Sequence, residues 1–250
     1  MLLAVDIGNS NIKFGVYDGD LLTFKLSIPT IRDISADGLV KVVGSKIKQP
    51  LEAAIVSSVV PEVDRSVREF ISKEYGFDPV FVKNDADFGL AIKYEPITEA
   101  GTDRLVNTFS AVEKYGSPCI VCSFGTALTI DVVNKYRVLT GGVIAPGMNT
   151  LATALKTTTS KLPEVKIEKP DEIIQRTTIS SIQSGIVFGY FGLVEELLRR
   201  VKAEIGCSPQ VIATGGFAKL VAENTTQIDK IDEHLLLDGL RLLYSRTQAA

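Results

Sequence analysis

Hydrophobic and polar positions in the first part of the chain predict a series of strands followed by helices. Turn residues separate three short apolar runs at the start, which predicts an antiparallel three-stranded meander: "LLAVD", "NIKFGVYDG" and "LLTFKLSI". Helical spacing follows over residues 33–48, and a strand, "AAIVSSV", then leads into a helix that begins at Pro61. After another strand, "PVFVK", the pattern predicts an amphipathic helix in "TDRLVNTFSAVEKYG" that ends at its glycine.

The second part of the chain repeats this order of elements. Three strands with turns between them are predicted first: "CIVCS", "TALTIDVV" and "YRVLTGGVIAPG". A helix is predicted in "MNTLATALKTTT", a polar loop with prolines in "SKLPEVKIEKPDE", and a long helix with glycines on one face in "SSIQSGIVFGYFGLVEELLRRVKAEIG". A strand that runs into a Gly-Gly turn follows in "PQVIATGG", and a closing helix in "EHLLLDGLRLLYSR".

The two parts are in register at their first turns. At one constant offset, Asp6 aligns with Ser123 and Gly8 aligns with Gly125. Coincidence is the alternative, because strand-glycine-strand turns are common, but the matching order of elements favours an internal duplication. We therefore expect an α/β protein with two lobes, residues 1–115 and 116–250, whose turns face each other across a central cleft.

Composition excludes several classes of protein. The 250 residues are 45% hydrophobic and 23% charged, which is ordinary for a globular protein, and the net charge of −3 argues against a nucleic-acid-binding surface. No apolar run approaches the roughly 18 residues that a membrane helix needs. The chain starts without the basic region of a signal peptide. We expect a cytoplasmic protein without a membrane or nucleic-acid partner.

Cysteine and histidine limit the chemistry further. Three cysteines cannot form a disulfide framework, and Cys119 and Cys122 lie in a strand-like run where side chains three apart point to opposite faces. We expect buried thiols there rather than a redox or zinc site. His234 is the single histidine, so acid-base chemistry would have to use carboxylates.

Both turns carry the groups of a phosphate cradle. Glycine lets the backbone approach a phosphate, and Asn9, Ser10 and Thr126 add side-chain donors. Asp6, at the strand end, would hold Mg²⁺ through water. A tight turn without a ligand is the alternative for "DIGNSN", since its residues favour turns.

Two further segments are candidates for ligand contact. The glycines of "VIATGGFAKL", residues 211–220, would let adenine or ribose approach the backbone, unless they serve a generic strand-to-helix connection. In "AGTDRLVN", Thr102 is predicted to be the N-cap. Asp103 is either a general base toward a substrate hydroxyl, with Arg104 holding an anion, or an acid that complements the helix dipole.

The chain resembles a known enzyme family in a set of motifs that runs from residue 2 to about residue 246: "DIGNSN", "SSVVPEV", "GTDR", "FGTALT", "GGVIAPG", "SKLP", "SIQSG" and "LLLDGLRLLY". These motifs, in this order, are similar to those of type III pantothenate kinases of the acetate and sugar kinase, Hsp70 and actin superfamily. The resemblance implies a duplicated ribonuclease-H-like fold and a homodimer with its substrate pocket at the interface. It also implies ATP-dependent phosphorylation of pantothenate, the first step of coenzyme A synthesis.

The resemblance further implies roles for single residues. ATP would contact the first turn and one residue of the second: Asp6, Ile7, Gly8, Asn9, Ser10, Asn11, Ile12, Lys13 and Thr126. Asp103 would accept the proton. The pantothenate pocket would be lined by Tyr94, Gly101, Thr102, Asp103, Arg104 and Thr178. The residues alone are also consistent with Tyr94 as a half-buried aromatic on a strand and Thr178 as the cap of the long helix.

Ser123 departs from the family pattern. The family usually has an aspartate there that binds K⁺ or NH₄⁺, whereas a serine offers an oxygen ligand without charge. Three interpretations follow: an enzyme that needs the ion little or not at all, one in which Lys13 supplies the positive charge, or a paralogue that binds nucleotide or pantothenate without efficient catalysis. The retained Asp6, Asp103, Arg104 and Thr126 favour an active kinase.

Overall fold

The computed structural model describes residues 1–249, which form two compact units. Unit 1 contains residues 1–114 and the segment that begins at His234, and unit 2 contains residues 115–233. The strands are β1 (Leu2–Ile7), β2 (Asn11–Asp18), β3 (Leu21–Pro29), β4 (Ala53–Ser58), β5 (Val80–Phe81), β6 (Ala91–Ile92), β7 (Cys119–Phe124), β8 (Ala127–Val133), β9 (Val138–Pro146), β10 (Gln210–Thr214) and β11 (Lys230–Ile231). The α-helices are α1 (Ala36–Leu39), α2 (Pro61–Tyr75), α3 (Thr102–Tyr115), α4 (Met148–Thr158), α5 (Thr178–Ile205), α6 (Ala218–Ala222) and α7 (Leu235–Ala249).

Unit 1 is built on a mixed sheet with the strand order β3-β2-β1-β4-β5. The predicted antiparallel meander is confirmed in β1, β2 and β3, and β4 then pairs with β1 in parallel. Helix α2 follows the pattern expected of a surface helix, because its buried residues Val63, Val67, Phe70 and Ile71 recur at helical spacing. It begins with Pro61 and ends at Gly76, whose φ of +80° is the left-handed conformation that glycine adopts at little cost.

Helix α7 completes unit 1 rather than unit 2. The sequence division at residue 115 placed this closing helix in the second lobe, but it packs on β1, β2 and β4. It also lies close to α3: a Cβ on Gly239 would be 2.8 Å from the backbone oxygen of Val106 and 2.9 Å from Cβ of Ser110. The hydroxyl of Tyr17 donates to Oδ1 of Asp238 over 2.7 Å.

Unit 2 repeats the arrangement of the first sheet, with its strands in the order β11-β10-β7-β8-β9. Strands β7, β8 and β9 form the second antiparallel meander, and β10 pairs with β7 in parallel. Residues of β7 and β8 form one core with α5, including Ile120, Cys122, Leu128, Val187 and Val194. The predicted duplication is therefore visible as two mixed α/β sheets of matching order.

One element prediction was wrong in extent, and three short elements were not predicted. The helix expected over residues 33–48 is reduced to α1 and a π-helical stretch, Val40–Gly44, because Ser35 caps the helix start and two glycines of low helix propensity, Gly38 and Gly44, lie within the segment. The two-residue strands β6 and β11 and a 3₁₀ turn at Ile97–Glu99 had no clear pattern in the sequence.

The cysteine prediction agrees with the structure. Cys119 and Cys122 are fully buried free thiols, whereas Cys207 is exposed. Burial raises the pKa of Cys119 to about 12, and it also raises the pKa of Cys122. Both thiols are therefore inert at neutral pH. Over residues 1–249, the structure contains no helix with the length and apolar character required to span a bilayer.

Candidate active site

The first turn is a tight loop between β1 and β2. The amide of Gly8 donates to the carbonyl of Asn11 over 3.0 Å, and a Cβ on Gly8 would lie 3.2 Å from that same oxygen. Thr30, which follows β3, fixes the loop from the side: its hydroxyl donates to the carbonyl of Gly8 at 2.6 Å and its amide donates to that of Ser10 at 3.0 Å. Asn9 and Ser10 are exposed at the tip. The turn is thus rigid at its base and open at its tip.

Asp6 lies beside this turn in a row of polar residues that crosses the sheet. Its cross-strand neighbours are Lys13 on β2 and Ser57 on β4. Oδ2 of Asp6 accepts a hydrogen bond from Nζ of Lys13 over 3.1 Å, and only 4% of the residue is exposed. Burial raises the pKa of Asp6, and the Lys13 ammonium opposes that shift only in part.

The second oxygen of the Asp6 carboxylate is available for a cation. Among residues 1–249, Oδ1 of Asp6 is buried and has no hydrogen-bond partner. The same part of the chain contains no cluster of three or more acidic, histidine or cysteine residues that could hold a metal alone. Mg²⁺ is often bound by one carboxylate, several waters and substrate phosphates, so this residue fits such an ion.

Ser57 connects the strand ends to the start of α3. Its Oγ lies 3.0 Å from Oγ1 of Thr102, and the Thr102 hydroxyl also donates to the carbonyl of Ser58 at 3.0 Å. The prediction that Thr102 is an N-cap is therefore wrong: α3 begins at Thr102, and the amides of Arg104 and Leu105 bond to the carbonyl of the preceding residue, Gly101. The Thr102 hydroxyl fixes the start of the helix to β4 instead.

The carboxylate of Asp103 is held in the first turn of α3. Its Oδ1 accepts from the Arg104 amide over 2.8 Å, and a Cβ on Gly101 would come within 2.5 Å of that oxygen. The Arg104 guanidinium is buried; it donates to the hydroxyl of Tyr94 over 3.1 Å and lies 5.0 Å from the centre of the Tyr94 ring. The structure thus brings Tyr94, Gly101, Asp103 and Arg104 together, with a positive helix end that favours an anion.

Ile7 and Ile12, two of the predicted nucleotide contacts, could reach a nucleotide only through their backbone atoms. Ile7 and Ile12 are fully buried, and their side chains belong to the core of unit 1. Thr30 and Ser57 were not predicted from the sequence. A polar residue in the otherwise apolar run "AAIVSS" was the signal for Ser57, whereas Thr30 had none.

The second turn lies between β7 and β8. The amide of Gly125 donates to the carbonyl of Ala127 at 3.0 Å, and Thr126 is exposed. The carbonyl of Thr126 accepts from the amide of Gly147 at 3.0 Å and from the hydroxyl of Thr150 at 2.5 Å. A Cβ on Gly147 would overlap the carbonyl of Gly125, so a glycine is needed there. Gly147 and Thr150 are thus supports of this turn that sequence reasoning missed.

Ser123 belongs to a row of three hydroxyl residues. Its neighbours across the sheet are Thr129 on β8 and Thr214 on β10. Oγ1 of Thr129 is buried and has no partner within residues 1–249. None of the three positions carries a carboxylate, so the row offers neutral oxygens only. It does not fit a monovalent-ion site of the charged kind that the resemblance implies.

The remaining predicted contacts lie elsewhere in unit 2. Gly215 has a φ of +96°, and a Cβ there would be 2.6 Å from the carbonyl oxygen of Phe124, so its packing on β7 already requires glycine. Thr178 is the exposed first residue of α5. It is not the cap of that helix, because Thr177 accepts the capping hydrogen bond from the amide of Ser180 at 3.2 Å.

Comparison with solved structures defines the fold class. The chain matches a protein from Porphyromonas gingivalis assigned as an N-acetylglucosamine kinase (TM-score 0.56, 13% identity, 99% of this chain and 100% of that one). It also matches the activator of the 2-hydroxyisocaproyl-CoA dehydratase from Clostridium difficile with bound ADPNP (TM-score 0.52, 10% identity, 100% and 97%). At these identities the likeness concerns the fold, which is the duplicated ribonuclease-H-like fold of the actin and sugar kinase class.

Sequence comparison defines the family. The model of the type III pantothenate kinase family matches residues 2–200. Type III pantothenate kinases from Geobacter sulfurreducens and Geobacillus thermodenitrificans are 40% and 39% identical to the chain over 255 and 253 residues. These alignments cover 99% and 98% of this chain and 100% and 98% of the relatives. The chain belongs to the type III pantothenate kinase family.

Proposed function

We propose that the protein transfers the γ-phosphoryl group of ATP to the primary hydroxyl of pantothenate, which gives 4'-phosphopantothenate and ADP. This reaction is the first step of coenzyme A synthesis. The observation that carries the proposal is family membership over the full chain, together with an acid, Asp103, beside a buried Arg104 at the start of α3. A carboxylate near the acceptor hydroxyl is a common device of kinases that phosphorylate alcohols.

The nucleotide is assigned to the two glycine turns. The amides and side chains of residues 8–11 would bind phosphate oxygens, and Thr126 would add a donor from the second turn. Lys13 has 45% of its side chain exposed beside Asp6 and would add positive charge. Mg²⁺, held through water by Oδ1 of Asp6, would neutralise phosphate charge when bound.

Asp103 is assigned as the general base. As the substrate oxygen forms its bond to the γ-phosphorus and the bond to ADP breaks, the hydroxyl proton moves to the Asp103 carboxylate. The Arg104 amide, which donates to Oδ1 of Asp103 over 2.8 Å, holds that carboxylate in place to accept the proton. Arg104 and Tyr94 would hold the anionic end of pantothenate, with Gly101 and Thr178 lining the pocket. The Thr102 hydroxyl is already bonded to β4, so its role is to position the helix.

We further propose that turnover does not depend on K⁺ or NH₄⁺. The hydroxyl row of Ser123, Thr129 and Thr214 carries no charge to bind such an ion tightly. Assays in sodium or Tris buffers, with and without added potassium or ammonium chloride, would give equal rates. A stimulation of more than about tenfold by either ion, beyond that of an equal ionic strength of sodium chloride, would contradict this proposal.

We also propose a homodimer and a cytoplasmic location. Ile173, Ile174 and Ile179 have 68%, 82% and 51% of their surface exposed near the start of α5. A groove of about 510 Å³ between α4 and α5 is lined by Leu151, Leu155 and other apolar residues, and Ile173 lines the neighbouring groove, which shares Ser181 and Gly185 with it. A second copy would cover this surface. Sedimentation would then show a dimer, and Ile174→Glu would shift the protein to the monomer.

The cytoplasmic location is proposed from the cysteines. All three are free thiols, which suits a reducing compartment.

The decisive assay measures ADP and phosphopantothenate formation from ATP, Mg²⁺ and pantothenate. Asp103→Asn is expected to lower kcat by at least a hundredfold with an unchanged melting temperature. Asp85→Asn, at an exposed position of the same unit, is the matched control and should retain full activity. Ligand-induced thermal stabilisation without any product would instead indicate a non-catalytic binding protein on this fold.

A further inference from the structure

The buried face of α3 carries a polar stripe that the proposed mechanism uses only in part. Asp103, Asn107 and Ser110 are separated by four and three residues, so they lie on one face of the helix over two turns. Asn107 has 5% of its surface exposed and Ser110 none. Oδ1 of Asn107 and Oγ of Ser110 have no hydrogen-bond partner among residues 1–249.

Packing accounts for Ser110 but not for Asn107. Ser110 faces α7. A Cβ on Gly239 of α7 would come within 2.9 Å of the Cβ of Ser110, so position 110 has room only for a small residue. A serine hydroxyl can also rotate toward whatever acceptor is near. Asn107 is larger, has low helix propensity and leaves a buried amide oxygen unpaired, which costs about 1–3 kcal/mol. Leucine would fill a buried helix position of similar size without that cost.

A buried polar group without a partner is a common sign of a binding function. We propose that the Asn107 amide binds pantothenate, at the hydroxyl and amide groups that follow the phosphorylated hydroxyl. This inference rests on the proposed function and extends it to a residue one helical turn from the general base. Four residues advance a helix by about 6 Å, which matches a few bonds along the substrate from the oxygen facing Asp103.

The chemistry of an amide suits this part of the substrate. A side-chain amide offers both a donor and an acceptor, so it can bind a secondary hydroxyl or an amide carbonyl, neither of which is charged. Arg104, three residues before Asn107, is matched instead to an anion. The two residues therefore divide recognition of pantothenate between its charged end and its neutral centre.

The test is Asn107→Leu, measured for stability and for kinetics. We expect an unchanged or higher melting temperature for the ligand-free protein, because the unpaired amide is gone. The KM for pantothenate should rise about tenfold to a hundredfold, with the KM for ATP within twofold of that of the original protein. Ser110→Ala is the matched control: it removes the other unpaired group of the stripe and should leave both KM values unchanged.

Three results separate the possible outcomes. A lower melting temperature with an unchanged KM for pantothenate would show that Asn107 is structural and would overturn the inference. Equal rises in the KM for pantothenate in Asn107→Leu and Ser110→Ala would also overturn it, because the effect would then come from the helix as a whole. If the unmodified protein forms no phosphopantothenate, the proposed function itself fails. In that case, thermal stabilisation by pantothenate that is lost in Asn107→Leu would still support the binding role, and stabilisation that persists would contradict it.

Discussion

Substitution of Gly101 by alanine is expected to reduce catalysis without unfolding the protein. The added Cβ would lie 2.5 Å from Oδ1 of Asp103, whereas carbon and oxygen atoms in close contact are about 3.3–3.6 Å apart. The carboxylate would therefore have to move by roughly 1 Å, and a displacement of that size costs on the order of a hundredfold in rate. We expect kcat to fall by about thirty- to three-hundredfold.

Stability should change little in this variant. The φ of Gly101 lies outside the left-handed region, so alanine fits the backbone, and the atom it displaces is the end of a side chain. Loss of the hydrogen bond from the Arg104 amide to Asp103 costs about 0.5–1.5 kcal/mol. The smaller conformational freedom of alanine in the unfolded chain offsets about 0.4–1 kcal/mol of that loss. The net change in the free energy of unfolding is therefore about 1 kcal/mol or less.

A double-mutant cycle distinguishes displacement of the base from general damage. Gly101→Ala, Asp103→Asn and the double variant are compared by steady-state kinetics and by thermal unfolding. If the alanine acts by moving the Asp103 carboxylate, it should cause less than a threefold further loss in the Asp103→Asn background, since residues that act as one unit are not additive. A kcat of Gly101→Ala within twofold of the original value, or a full additional loss in the double variant, would refute the reasoning.

Three other perturbations have clear expected outcomes. Gly239→Ala should destabilise the protein by about 1–3 kcal/mol in calorimetry through its contact with α3, whereas Gly192→Ala, on the open face of α5, should stabilise it by up to about 1 kcal/mol; the reverse order would contradict the packing. Lys13→Met should cost about 1–3 kcal/mol at pH 7, less than for a fully buried pair, because Lys13 is nearly half exposed. Burial raises the folded pKa of Asp6 above its unfolded value, so the carboxylate ionises, and the cost of losing Lys13 grows, only as the pH rises through that raised folded pKa; below it the cost should vanish. A cost independent of pH between 3 and 7 would show that the charge pair is not its origin. A thiol reagent should label Cys207 alone in the native protein, and more than one label per chain before unfolding would contradict the burial of the other two.

Much of the fold could be predicted because its pattern is local. Apolar runs of five to twelve residues with turn residues between them mark the two meanders, and the spacing of Val63, Val67 and Phe70 marks α2. The short strands β6 and β11 could not be predicted, since two residues are too few for any periodicity. The unit to which α7 belongs is decided by tertiary packing, of which the leucine-rich sequence of the helix gives no sign.

The candidate site also has a part that could be predicted from local motifs and a part that could not. Glycine turns and acids at element ends are visible as motifs, and so Asp6, Gly8 and Asp103 could be chosen from the sequence. The bonding of individual side chains could not: the hydroxyl of Thr102 binds β4 instead of capping α3, and the cap of α5 is Thr177 rather than Thr178. Such one-residue shifts exceed what spacing can resolve, because neighbouring hydroxyl residues are equivalent in a pattern.

The position of α7 has a consequence for how the protein forms during translation. The sheet of unit 1 is synthesised first, but the buried leucines of α7 that cover one of its faces follow only after all of unit 2. At typical rates of synthesis, that interval lasts on the order of ten seconds. Unit 2 is continuous in sequence, so all of its residues leave the ribosome before unit 1 has received its last helix. Until then, an apolar sheet face of unit 1 is left uncovered on the nascent chain, which makes it a natural binding surface for chaperones.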